Sequence, residues 1–317
     1  MEITEQDGIV IASIGPDEAE HRAWERVKQP PIDVVRLLDH ERTDAADRAR
    51  LGFLTRPRWV NWWAPVGASD EEFTARVSGT ERRNIRLGRQ AIQAEELRLS
   101  VVPGLEEDVL DEFLVVYDEQ ISGMARGKNY ARRSRDRLLE DRSEFVSVCV
   151  YAGRVMVVGS IWWIRPSESL LQMRFSAASP SARSSRVMRA AYVEAFRFAR
   201  ESGLSYVSLG NDPSLFGHVV QPGLFNFKSR LGFSVIPSAV LDASLGGNFA
   251  DKFLSLRALS DPALVVTVDS CLGDPPPWPG ITASPWLDMV LLSGEPAPAT
   301  GAFRTKGFRS SSTLTVS

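Results

Sequence analysis

The stretch from Phe145 to Gly203 leaves a folding chain little choice. It reads FVSVCVYAG, then RVMVVGSIWWIR, then SLLQMRFSAAS, three apolar runs of strand length separated by short breaks. Gly153 sits in the first break, where a tight turn between antiparallel strands favours a residue without a side chain. Behind them comes SARSSRVMRAAYVEAFRFARESG, apolar at helical spacing and closed by Gly203, so one long helix is expected. LSYVSLG follows as a short buried strand. A meander that feeds a helix and then a further strand implies α/β (α+β) architecture, with mixed central sheets flanked by helices.

The rest of the chain reads more locally. IVIASI and RWVNWWAPV are strand signals, and DEAEHRAWERV between them is charged and helical. Ser69 or Asp70 caps a helix, Gly79 interrupts it, and a second helix carries Arg82, Arg83, Arg86 and Arg89. LRLSVVPG is a strand and LEEDVLDEFLVVYDEQISGM an amphipathic helix. After Gly246 the pattern weakens: NFADKFLSLRAL reads as a helix, ALVVTVDS and WLDMVLLS as strands, with a rigid DPPPWPG between them. The residues from about Ala299 are Ser/Thr-rich and expected to be mobile.

Composition excludes several classes. A chain of 317 residues with 44% hydrophobic content can bury a large core, and a net charge of −3 does not advertise nucleic acid. Any polyanion partner must therefore be met by local clusters. Cys149 lies in an apolar run and Cys271 is far away, matching no metal spacing; with three histidines, His21, His40 and His218, no metal site is expected. The amino terminus is acidic with no basic leader region, and no run reaches the ~18 apolar residues of a membrane span, so a cytoplasmic protein is expected.

QMRFSAASPSARSSRVMRAAYVEAFRFARESGLSYVSLG, followed by GLFNFKSRLGF, resembles the carboxy-terminal module of the Fem family, and ERRNIRLGRQA resembles the Arg-rich helix of that family's first module. Fem enzymes are GNAT-like aminoacyltransferases that move an amino acid from aminoacyl-tRNA to an amine. The resemblance runs in patches from Trp59 to Pro237. It implies tandem GNAT-like modules: 1–105, a catalytic module at 106–245, and a carboxy-terminal extension at 246–317. It also implies aminoacyl-tRNA as co-substrate, no other cofactor, and an acceptor amine or hydroxyl on a small molecule such as a natural-product or cell-wall precursor.

The donor can be argued from residues. CoA-dependent GNAT enzymes hold the pyrophosphate on a glycine-rich loop at the amino end of the main helix. Here the aligned residues run from Arg183 to Met188, and both glycine positions hold large side chains, Arg186 and Met188. Arg82, Arg83, Arg86, Arg89, Arg183 and Arg186 are the candidate tRNA-phosphate contacts. A second basic cluster comprises Arg126, Lys128, Arg132, Arg133, Arg135 and Arg137, interleaved with acids. A solvated charged face explains either cluster equally well.

For the chemistry, Phe227-Lys228 matches an aromatic–lysine pair that the resemblance places at the transfer step. Lys228 would meet the oxyanion or the departing ribose oxygen. In LFNFKSRLGF the same lysine can instead lay its stem on apolar neighbours with its head in water. His218 and Asp212 are candidate bases, each with a structural alternative. Trp62, Trp163, Arg174 and Asn211 are candidates for lining an acceptor pocket. An acyl-CoA-dependent GNAT N-acyltransferase, and a non-catalytic module binding RNA or protein, remain the alternatives.

Overall fold

The computed structural model describes residues 1–124, 126–269, 271–296, 298 and 303–316. In chain order, β1 (Glu2–Gln6), β2 (Ile9–Ile14), α1 (Pro16–Glu20), β3 (Val34–Leu37), α2 (Ala45–Arg50), β4 (Leu54–Pro57) and β5 (Trp59–Pro65) come first. Then follow α3 (Asp70–Arg76), α4 (Gly79–Ala94), β6 (Arg98–Pro103), α5 (Glu107–Ser122), α6 (Tyr130–Arg133) and α7 (Arg135–Glu140). The meander is β7 (Phe145–Ala152), β8 (Val155–Arg165) and β9 (Leu170–Ala178), followed by α8 (Pro180–Ser184), α9 (Val187–Glu201) and β10 (Tyr206–Pro213). Last come β11 (Leu215–Phe216), α10 (Pro222–Arg230), β12 (Ser234–Pro237), β13 (Asn248–Phe253), β14 (Ala263–Thr267), β15 (Asp288–Ser293) and β16 (Ser311–Thr315). The expected mixed sheets flanked by helices are what the chain forms.

The chain divides into two compact units: Met1–Asn61 with Asn211–Ser229 and Ser234–Ser317, and Trp62–Gly210 with Arg230–Phe233. These borders differ from the sequential ones at 105 and 245, because residues distant in sequence pair. In the first unit one sheet runs β1-β2-β3-β13-β4, so β13, from the expected extension, lies between two amino-terminal strands. The first half of NFADKFLSLRAL, Asn248–Phe253, is thus a strand and the rest is loop and turn, not a helix: β13 pairs antiparallel with both β3 and β4, and pairing on both edges overrides a weak local preference. The mobile tail is also corrected. Ser311–Thr315 pairs parallel with β15 in a sheet ordered β11-β14-β15-β16, while residues 299–302 and 317 lie outside the described ones.

β2 shows how this unit is filled. Ile9 and Ile11 join a core with Val34, Val265, Val290 and Leu292, whereas Ala12 and Ile14 join another with Trp24, Val35, Leu37 and Phe53. Side chains alternate across a strand, so a run that is apolar at nearly every position packs two cores at once.

In the second unit the sheet order includes β5-β10-β9-β8-β7-β6, with β10 parallel to β9 and the rest of the meander antiparallel. Ile161 joins the cluster under α5, with Leu110, Phe113, Leu114 and Tyr117, while its neighbour Trp162 packs edge-on against Tyr192 and Phe196 of α9. Cys149 belongs to the α5 cluster, and burial pushes its thiol up to about 12, so it is an inert core residue at neutral pH. Ser69 and Ser78 cap α3 and α4, their hydroxyls accepting from the backbone N–H of Glu72 and Glu81.

The expected single helix from Ser181 to Gly203 is two helices. Ser184 and Ser185 turn their hydroxyls back onto the carbonyls of Ser181 and Ala182, which competes with helix propagation, and Arg186 takes a left-handed conformation with φ 67°. That kink brings the backbone of Arg186 against α4 at Gly88, where an added Cβ would lie 2.5 Å from the Arg186 carbonyl oxygen. Only glycine permits this approach of the two helices.

Candidate functional site

Pro222 at the amino end and Gly232, in the left-handed region at φ 91°, bracket α10. Most of LFNFKSRLGF therefore lies in a helix. Phe225, Lys228 and Ser229 are its buried residues, and spacings of three and four put them on one face. Phe225 stacks on Phe308 with ring centroids 5.7 Å apart and meets Phe216 edge-on at 5.3 Å. One turn further on, Lys228 is only 4% exposed, and its Nζ donates to Asp212 Oδ2 at 2.8 Å. The snorkel reading fails, because the ammonium is inside and paired. Phe227 is half-buried and lies about 100° around the helix from Lys228, so the aromatic on the lysine's own face is Phe225.

Asp212 stands at the end of β10, and the next residue on its side of the extended chain is Ser214. The Ser214 hydroxyl accepts from Arg56 Nη1 at 2.9 Å. Arg56 also holds Asp251 through Nε at 2.9 Å, and Arg36 grips the same carboxylate with Nε at 2.8 Å and Nη2 at 2.9 Å. The guanidinium groups of Arg36, Arg56 and Arg58 lie over the Phe249 ring at 3.6, 4.8 and 5.5 Å. Arg36 and Arg56 thus share the Asp251 carboxylate, as Lys228 pairs with Asp212. Burial alone would raise the Asp251 pKa, but the charges and hydrogen bonds of Arg56 and Arg36 outweigh it and hold the carboxyl below its ordinary value.

The other candidates of this unit, Asn211 and His218, are hydrogen-bonded to neighbouring elements. Asn211 Oδ1 accepts from Asn61 Nδ2 at 2.7 Å and from the Ser238 hydroxyl at 2.9 Å. His218 is 8% exposed, and its Nε2 donates to the Asp7 carbonyl at 3.0 Å, which ties it to the β1–β2 turn. Of the four catalytic candidates, the structure joins Lys228 to Asp212 directly.

The second unit carries the arginines. Arg82, Arg83 and Arg86 are exposed along α4, and Arg183 and Arg186 are exposed at the α8–α9 junction. Arg186 Nε donates to Asn84 Oδ1 of α4 at 3.1 Å, and Arg183 reaches Gln120 Oε1 at 3.3 Å. None of these five pairs with a carboxylate among the described residues. Arg89 does: it donates to Asp70 Oδ2 at 2.8 Å, and Arg197 and Arg200 bind the same carboxylate. The second basic cluster is answered by acids, Arg132 by Asp118 at 2.9 Å and Arg135 by Asp111 at 2.8 Å and Glu107 at 2.7 Å.

Of the acceptor-pocket candidates, Trp163 and Arg174 are brought together. Trp62 is wholly enclosed in the core at 0% exposure, a correction to its assignment as a pocket wall. Trp163 lines a cavity of about 400 Å³ with Glu144 and Arg165, donates to Glu144 Oε2 at 2.9 Å, and carries the guanidinium of exposed Arg174 over its ring at 5.7 Å. Arg36, Arg56, Ser214 and Asp251 are missing from the sequence-derived candidates. Their one local signal is a buried-strand aspartate in NFADKF, which the helical reading hid. Among the described residues no cluster of three or more His, Cys, Asp or Glu could hold a metal, and no helix is long and apolar enough to cross a membrane.

No protein-family model matches the sequence, and a search of curated proteins finds no match. Several solved structures are similar in chain course. FemX is 14% identical, with 80% of this chain and 83% of FemX covered at a TM-score of 0.44. A conserved protein of unknown function from Bacteroides thetaiotaomicron is 12% identical, with 80% of each chain covered at 0.41. L-PGS from Bacillus licheniformis is 15% identical, with 67% of this chain and 64% of that one covered at 0.38.

Proposed function

We propose that this protein is an aminoacyltransferase that moves an amino acid from aminoacyl-tRNA to an amine or hydroxyl of a small-molecule acceptor. The observation that carries the reading is the arginine face of α4 and the α8–α9 junction. Five exposed guanidinium groups without carboxylate partners among the described residues, in a chain of net charge −3, form a local footprint for a polyanion. The approach of α4 to Arg186 at Gly88 supports the same donor, because a helix seated there crowds the amino end of α9, where a CoA pyrophosphate would need open backbone N–H groups.

In the reaction, the acceptor amine attacks the ester carbonyl of the aminoacyl group and a tetrahedral oxyanion forms. The ester C–O bond then breaks, the ribose oxygen leaves, and the amine's proton ends on that oxygen. Lys228 is the residue for this charge: its ammonium, held by Asp212 in a water-poor setting, would bind the developing oxyanion more strongly than the neutral carbonyl.

Replacing Arg82, Arg83 and Arg86 together by glutamine should weaken tRNA binding. It should also flatten the plot of log affinity against log salt by about 0.7–0.9 for each phosphate that is no longer neutralised. Filter binding over a salt series reads both quantities. An unchanged slope would move the RNA footprint elsewhere.

A further inference from the structure

A cavity of about 460 Å³ opens within the first unit, and neither Lys228 nor Asp251 belongs to its lining. Its size suits a small organic molecule. Two indoles line it: Trp59 at the start of β5, and Trp286 shortly before β15. Pro275, from the proline-rich DPPPWPG segment, contributes a stiff stretch of wall.

The polar groups in the wall fall into two sets. Glu41 and Asp274 are exposed carboxylates with no cationic partner among the described residues. Asp269 is already answered by Arg309 at 2.9 Å. Two acids without counter-charges, in a cavity that two indoles also line, favour an ammonium through charge and through the ring quadrupoles. The second set consists of donors. Arg48 is 8% exposed; its Nη1 donates to the carbonyls of His40 and Thr43, but its Nε has no acceptor among the described residues. Trp286 Nε1 is likewise without an acceptor. Both of these N–H groups are sealed beneath the wall, so the polar side chains that the cavity presents to hydroxyl groups are the exposed Asn248 amide and the His40 ring. His40 completes the lining. Burial first, and the Arg48 charge second, lower its pKa, which favours the neutral ring.

We propose that this cavity binds a ring-sized amine bearing hydroxyl groups, with the ammonium at Glu41 and Asp274, the ring against Trp59 and Trp286, and hydroxyl groups at Asn248 and His40. The binding claim stands on the cavity alone; that this amine is the acceptor of the transfer rests on the proposed function. Three probes of similar ring size separate the contributions: glucosamine has both ammonium and hydroxyls, glucose lacks the ammonium, and cyclohexylammonium lacks the hydroxyls.

Calorimetric titration into the full chain, without tRNA, should give glucosamine a Kd at least about tenfold below either of the others. In the variant Glu41→Gln/Asp274→Asn, whose changes are on exposed side chains, glucosamine should fall to the affinity of glucose. Equal binding of glucose or cyclohexylammonium to the unaltered protein, or saturation by none of the three, overturns the proposal. So does an unaltered glucosamine preference in the double variant. Selective glucosamine binding by a protein that transfers nothing from charged tRNA would sustain the cavity assignment and overturn the transferase reading, so the two failures are distinguishable.

Discussion

Replacing Lys228 with methionine should lower the rate of aminoacyl transfer by about 10²–10³-fold while leaving donor affinity within about twofold. A preorganised donor aimed at a developing oxyanion acts mainly in the transition state, so its loss appears in kcat. The single substitution has a second consequence. It removes the 2.8 Å contact of Lys228 with the Asp212 carboxylate, 6% exposed, and breaking a buried pair costs about 3–5 kcal/mol. The informative partner is therefore Lys228→Met/Asp212→Leu, which removes both charges. It should recover most of the lost stability and remain slow. Recovery of the rate along with the stability would make the pair a structural clasp.

Replacing Asp251 with asparagine should destabilise the protein by about 3–5 kcal/mol at neutral pH, read as a lower urea midpoint. Asp251 is 0% exposed and holds two guanidinium groups, so neutralising it leaves Arg36 and Arg56 facing one another without an anion. The pH dependence follows from the lowered pKa. Between the folded value and the unfolded value of about 3.9 the unfolded chain binds more protons, so this contribution is complete above that range and is lost as pH falls through the folded pKa. Asp251→Asn should accordingly flatten the acid limb of the stability curve. A variant as stable as the parent, with the same acid limb, would show that the arginines find other acceptors.

Much of the second unit was legible because its signals are local. Three apolar runs, a glycine at the first turn and a 3.6-residue period specify the meander and α9, and Ser69 and Ser78 mark helix starts through bonds to residues three positions on. The first unit hides what matters most. Arg56 and Asp251 are 195 residues apart, so no window of sequence contains the pair, and the alternation of NFADKF is too short to resolve strand from helix. The site was half visible. Lys228 stood out as a cation in an apolar frame and Asp212 was a candidate, but their bond depends on α10 being a helix that turns Lys228 inward. The break at Arg186 was invisible for a related reason. It is shaped by serine back-bonding together with a close approach to Gly88, on a helix about 100 residues away.

Donor dependence is the most direct test of a tRNA-dependent transferase. The full chain, supplied with an amine-rich acceptor extract, is given either total charged tRNA or acyl-CoA, each with and without ribonuclease, and labelled product is counted. Product is expected from charged tRNA alone, and ribonuclease should abolish it. Product formed from acyl-CoA and surviving ribonuclease would contradict the assignment.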